Sequence, residues 1–293
     1  MVINNFKTQV AALGTCNIDF LMKVPRFSRA DDEVDVDHLK IFLGGSATNF
    51  ALNISRMGVN VGIIARVGDD EYGQFASTKF LEEGVNIDRL VKISDTTGMA
   101  FIAVDEGGER SIYTVMGANA QFKLEESDVE YIKNSQILHL TGMYLEVVEE
   151  ASKHANYLSL NPGTSLASYG MDCLSKILKR TNILFLNRKE VSLLTGEKYN
   201  TGARKLVEFG VSQVVVTCGR QGACLCTPDG IIHSPTSPIN SLDTTGAGDA
   251  FAAGFIAGLV KNKPPEKCLQ MGNELASSCV EMLGAVDLGH YQI

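Results

Sequence analysis

A chain of 293 residues, 45% hydrophobic and 20% charged, is long enough to bury a sizeable core and has the composition of an ordinary globular protein. Its formal net charge of -8 excludes a general binder of nucleic acid or anionic membrane, so any phosphate it holds is held locally. No apolar run reaches the roughly 18 residues needed to span a bilayer, and residues 1–10 lack a basic flank with an apolar core, so a cytoplasmic location is expected.

In chain order, Thr8 to Leu13 reads as a short apolar strand ending at Gly14, followed by the polar turn Thr15-Cys16-Asn17-Ile18-Asp19. Open α/β sheets place ligand contacts at such carboxyl ends, although an Asx-stabilised turn explains Asp19 equally well on local grounds. Val34 and Val36 alternate with Glu33, Asp35 and Asp37, which predicts a half-exposed strand whose charges are its solvated face. The spacing of Ala47, Phe50, Ala51, Ile54 and Met57 predicts a helix opened by Gly45 or Ser46 and closed by Gly58, with Asn49 facing outward beside its free N–H groups. A hairpin is predicted over Gly98 to Gly117, where two apolar runs flank Glu106-Gly107-Gly108-Glu109. Two such pieces, about 15–43 and 97–118, inserted in an otherwise regular chain suggest a small sheet that stands off the body as a lid.

From residue 60 onward, apolar runs at Val61 to Val67, Ile137 to Leu140, Tyr157 to Leu160, Ile183 to Leu186 and Val214 to Thr217 mostly alternate with helical stretches. That alternation predicts βαβ units and a mainly parallel sheet, closed by a last helix over Glu266 to Leu283. Polar residues gather where these strands end: Thr141, Asn161, Asn187 with Glu190, and Thr217 with Gly219 and Gly222, with Glu146 a little beyond. Cysteines are odd in number, and the trio Cys218, Cys224 and Cys226 lacks paired metal-ligand spacing, so buried reduced thiols are expected.

Ser241 to Phe251 joins a glycine-bearing polar turn to the small, apolar run Ala250 to Val260, which reads as a buried helix. Gly246 and Gly248 leave successive N–H groups free to face one anion, and the helix dipole adds to the same spot. A carboxylate there, Asp249, would be repelled by a bound phosphate unless it had its own task, so a base beside a phosphate site suggests phosphoryl transfer. On local grounds alone the loop equally reads as a change of chain direction.

The ordered set Gly14-x-x-Asn17-x-Asp19, Gly44-Gly45-x-x-x-Asn49, Asn187-x-x-Glu190, Thr217-x-Gly219 and Asp243-Thr244-Thr245-Gly246-Ala247-Gly248-Asp249 resembles the ribokinase family, also called the phosphofructokinase B-type carbohydrate kinases. The resemblance implies a single domain over 1–293, a Rossmann-like αβα sandwich with a small β-sheet lid, that moves the γ-phosphate of ATP to a hydroxyl of a sugar. It implies Asp249 as the base and Gly246, Ala247 and Gly248 as the anion hole. Asn17, Asp19, Gly45, Asn49 and Glu146 match substrate contacts, while Asn187, Thr217, Gly219, Gly222 and Asn273 match the nucleotide side. Glu190 matches a Mg²⁺ position acting through water, and carbonyls near Asp243 and Thr245, with Gly284, match a K⁺ site. A homodimer formed through the lid is also implied. Ser46 stands where ribokinases proper carry lysine, which weakens ribose specifically. A nucleoside kinase of the same family is the near alternative, with Phe101, Ile112 and Tyr113 available to stack on a base, and a non-catalytic sugar or nucleotide sensor is the reading from another class.

Overall fold

The computed structural model describes residues 6–236 and 246–280. Strands β1 (Thr8–Leu13), β2 (Asn17–Lys23) and β3 (His38–Gly44) lead into α1 (Ser46–Arg56), β4 (Val61–Gly68), α2 (Glu71–Glu82) and β5 (Asn86–Ile93). The hairpin β6 (Gly98–Val104) and β7 (Arg110–Val115) follows, then a 3₁₀ turn at Gly117–Gln121, α3 (Glu126–Lys133), β8 (Ser135–Leu140), α4 (Leu145–Ser152) and β9 (Leu158–Leu160). Three short helices, α5 (Gly163–Ala167), α6 (Gly170–Cys173) and α7 (Ser175–Leu178), precede β10 (Ile183–Asn187), α8 (Arg188–Thr195), α9 (Tyr199–Phe209) and β11 (Gln213–Thr217). A hairpin of β12 (Ala223–Thr227) and β13 (Gly230–Ser234) and the helices α10 (Ala247–Val260) and α11 (Pro265–Val280) complete the described chain.

Nine strands form one sheet in the order β13-β12-β11-β10-β9-β8-β1-β4-β5. It is parallel from β11 to β5, and the antiparallel pairings are those of β12 with β11 and with β13. Parallel strands buried on both faces need apolar residues at successive positions. In β1, Val10 and Ala12 join one core cluster with α1 and α10, while Ala11 and Leu13 join the other with α4, α8 and α9. The result is the expected αβα sandwich.

β2, β3, β6 and β7 form a second sheet in the order β3-β2-β6-β7, in which β2 and β6 are parallel and the outer pairs antiparallel. The strand predicted around Val34 and Val36 is not formed, because β3 begins only at His38. Five carboxylates within Asp31 to Asp37 repel one another along an extended row, and among the described residues only Asp32 of the five has an ion-pair partner, Arg26. Cys218, Cys224 and Cys226 are buried free thiols, as expected. Phe101 lies flat on Phe20, centroids 5.0 Å apart, so one face of its ring is occupied by sheet packing.

α10 is buried along almost its whole length. Small residues let it approach α11 closely: a Cβ at Gly254 would lie 2.5 Å from the Met271 carbonyl oxygen. This close packing seats the N-terminus of α10 at the carboxyl ends of the parallel strands. Among the described residues no helix is long and apolar enough to cross a membrane.

Candidate active site

Gly246 takes φ 74°, a left-handed conformation open to glycine, and caps α10 so that the first-turn N–H groups of Ala247, Gly248 and Asp249 have no intrahelical acceptor. Asp249, in that first turn, is only 7% exposed. Burial pushes its carboxyl up to about 7, with the Asn49 amide opposing and the Glu190 charge adding to the rise. The Asn49 Nδ2 donates to Asp249 Oδ2 at 3.3 Å, and the Asn161 Nδ2 donates to Oδ1 at 3.4 Å. Asn49 therefore points inward from α1 and is buried, correcting the expectation that it faces outward. An amide that must reach a buried carboxylate cannot remain in solvent.

The motifs expected on the sugar side meet at the start of the second sheet. Gly45 caps α1 with φ 92°, and a Cβ there would lie 2.4 Å from the Thr15 carbonyl oxygen. A Cβ at Gly44 would lie 2.2 Å from the Asp19 carboxylate, so the glycine pair makes room for Asp19. Asn17 Oδ1 accepts from the fully buried Asn119, which also brackets the Cys16 backbone through both its amide atoms. Glu146 stands apart, exposed in the first turn of α4 and outside the cavity described next.

On the other side of α10 lies a cavity of about 490 Å³, within the range of small-ligand sites. Asn187, Glu190, Thr217, Gly219, Gly222, Ala247, Gly248 and Asn273 all line it, so the structure gathers the predicted nucleotide side in one place. Asn187 and Glu190 form a capping box: the Glu190 N–H donates to Asn187 Oδ1, and the Asn187 N–H to Glu190 Oε2, both at 2.9 Å. Burial raises the Glu190 carboxyl, with Asn187 and the Thr164 hydroxyl opposing. Asn273 donates to the Ser234 carbonyl at 3.0 Å, tying α11 to the end of β13. Asp243, Thr245 and Gly284 lie outside the described residues.

Asn161 was legible only as a polar residue at a strand end, and nothing in the sequence marks its contact with Asp249. The strand-end rule points to it, since β9 stops one residue earlier at Leu160. Ser46, which replaces the lysine, opens α1, and its hydroxyl helps to hold the Asp249 charge.

A carboxylate buried at a glycine-capped helix start, between polar residues at the start of a small sheet and a cavity of about 490 Å³, is the arrangement expected of a kinase of the ribokinase-like class. The pfkB family carbohydrate kinase model matches residues 7–288. An uncharacterized sugar kinase of Archaeoglobus fulgidus is 34% identical over 80% of this chain and 96% of its own length. An ATP-dependent ribose-1-phosphate kinase of Halopiger xanaduensis is 31% identical over 90% of this chain and 89% of its own. The crystal structure of ribokinase from Thermotoga maritima superposes with a TM-score of 0.87 at 28% identity, covering 95% of this chain and 94% of that one. The chain belongs to the pfkB family of carbohydrate kinases, the sugar and nucleoside kinases of the ribokinase type, and is a phosphotransferase with an alcohol group as acceptor.

Proposed function

We propose that this chain is an ATP-dependent kinase of a small sugar, with Asp249 as the base that receives the acceptor proton. The observation that carries the reading is the Asp249 carboxylate, buried at the start of α10 and held by Asn49 from the substrate-side helix while the adjoining residues Ala247 and Gly248 line the cavity. A sugar hydroxyl is far too weak an acid to be ionised by a carboxylate in advance. Asp249 instead orients the hydroxyl and takes its proton as the new O–P bond forms and the bond between the γ-phosphorus and its bridging oxygen breaks, leaving a phosphate ester and ADP. The N–H groups at Gly246, Ala247 and Gly248 supply fixed partial positive charge to the phosphoryl group in flight.

The cavity takes the nucleotide, with Thr217, Gly219, Gly222 and Asn273 along it, and Asp19, Asn17, Gly45 and Asn49 receive the acceptor. Glu190 fits Mg²⁺ held through water: it is a hard oxygen donor, buried and raised by that burial, whose charge a cation would balance. Mg²⁺ supplies charge neutralisation to the phosphates. Among the described residues no cluster of three acidic, histidine or cysteine side chains could cage a metal, which suits an ion shared with the nucleotide. K⁺ near Asp243 and Thr245 belongs to the same reading. The second sheet acts as a lid, and its exposed Leu39, Ile112, Tyr113 and Val115 form the apolar edges through which two copies pair.

A coupled ADP-release assay with ATP, Mg²⁺ and K⁺ across ribose, ribose 1-phosphate, fructose, deoxyketogluconate and the nucleosides tests this. Turnover of a sugar is expected. Turnover of nucleosides alone would move the reading to a nucleoside kinase, and no turnover at all would leave the sensor.

A further inference from the structure

Two amide side chains, not one, meet Asp249. Asn49 comes from α1 and reaches Oδ2, and Asn161, just past β9, reaches Oδ1, so each carboxylate oxygen has its own donor. The orientation of the Asn161 amide is fixed from behind: its Oδ1 accepts from the Gly163 N–H at 3.4 Å, which leaves Nδ2 for Asp249. Asn161 also lines the cavity, whereas Asn49 does not. Among the described residues the buried Asn49 Oδ1 has no hydrogen-bond partner and is left as a free acceptor. The base is thus gripped from the donor side by one amide and from the acceptor side by the other. Glu190, which also lines the cavity, is the charged group that opposes its ionisation.

On the reading that Asp249 is the base, we propose that Asn161 is a positioning residue for phosphoryl transfer, its amide holding the nucleotide-side oxygen of Asp249 so that the other oxygen is aimed at the acceptor hydroxyl. Two consequences separate this from a mere cavity wall. Removing the donor withdraws support from the ionised carboxylate and rotates it. Both effects fall on the chemical step, not on nucleotide affinity.

The test uses Asn161→Ala and the isosteric Asn161→Asp in the full chain, with thermal midpoints recorded so that folding is controlled. Expected is a fall in kcat of roughly tenfold or more with the KM for ATP changed by less than about threefold, and an acid limb of kcat/KM displaced upward by about one pH unit, further for the aspartate. An infrared titration of the Asp249 carboxyl band, identified by its loss in Asp249→Asn, reads the same displacement without turnover. A raised KM for ATP with unchanged kcat and limb would make Asn161 a wall of the cavity, and a lowered midpoint with unchanged kinetics would make it a helix cap; either overturns the proposal. If the wild type turns over nothing yet the infrared band titrates higher in both variants, the amide contact stands and the assignment of Asp249 as a base fails; an unmoved band refutes the contact itself.

Discussion

Asn49 and Asp249, 200 residues apart in the chain, meet with the amide nitrogen 3.3 Å from the carboxylate oxygen. The contact joins the first turns of two helices that pack side by side, so the helix proposed to receive the acceptor and the proposed base are tied directly to each other. Burial outweighs the amide and leaves the carboxyl at about 7. A base must be ionised to receive a proton, so kcat/KM is expected to rise with pH up to about 7 and then level, falling about tenfold per unit below it. A pH–rate profile checks this. An acid limb near 4 would show that burial does not govern the group.

Asp249→Asn removes the proposed proton acceptor and keeps its size. Turnover is expected to fall by at least about a thousandfold, with nucleotide binding still measurable by calorimetry. Stability should move the other way. Because the folded carboxyl is raised from 3.8 to about 7, folding favours its protonated form, so its contribution is full below pH 3.8 and is lost as pH rises to about 7. The neutral variant escapes this loss and should be more stable than wild type at pH 8, by up to about 4 kcal/mol, with the difference vanishing near pH 4. A variant less stable than wild type at pH 8 would contradict the burial argument.

The alternation of apolar runs and helices made the large sheet legible, because strands buried on both faces leave a local mark that needs no tertiary information. The grouping of Asn187 and Glu190 at the cavity was legible for a related reason: Asn187-x-x-Glu190 is at once a motif and a helix cap, and local geometry alone brings its two side chains together. One failure depended on a distant partner and the other on neighbouring charge. Asn49 reads as an outward polar residue until a carboxylate from another helix is placed over it. Val34 and Val36 show a strand period, yet the repulsion of the flanking carboxylates and the late start of β3 decide against it.

The Gly44 position is expected to separate the acceptor side from the donor side. An added Cβ would sit 2.2 Å from the Asp19 carboxylate, a clash that displaces Asp19 or the strand carrying it. Gly44→Ala should raise the acceptor KM by roughly 10–100-fold, the equivalent of about 1–3 kcal/mol of overpacking, with the KM for ATP nearly unchanged. Equal effects on both constants would place Asp19 outside the acceptor site.

Leu39 and Tyr113 are 52% and 70% exposed on opposite edge strands of the small sheet, and the strand register puts them on the same face. An apolar edge of this kind is covered in solution if two copies pair through it. Sedimentation at micromolar concentration should show a dimer, and the double variant Leu39→Asp with Tyr113→Asp a monomer. A wild type that sediments as a monomer removes the dimer.

Far from the base, Arg66 carries its charge into the interior at 2% side-chain exposure, facing Asp128 at 0%. The pair stands at 2.5 Å, Arg89 adds a second contact to the same carboxylate at 2.7 Å, and Arg66 also donates to the Lys123 carbonyl and lies over the Phe122 ring. The network ties β4 and β5 to α3 at the end of the sheet opposite β12 and β13. A buried pair of this kind gains little over an apolar replacement, but breaking it strands a charge without solvent. Asp128→Ala should therefore cost about 3–5 kcal/mol in urea unfolding, while Arg66→Met combined with Asp128→Leu recovers much of that loss. Because the network touches neither the cavity nor Asp249, kcat and both KM values per folded molecule should stay at wild-type levels. A cost under about 1 kcal/mol for Asp128→Ala would mean that water reaches the site and screens Arg66.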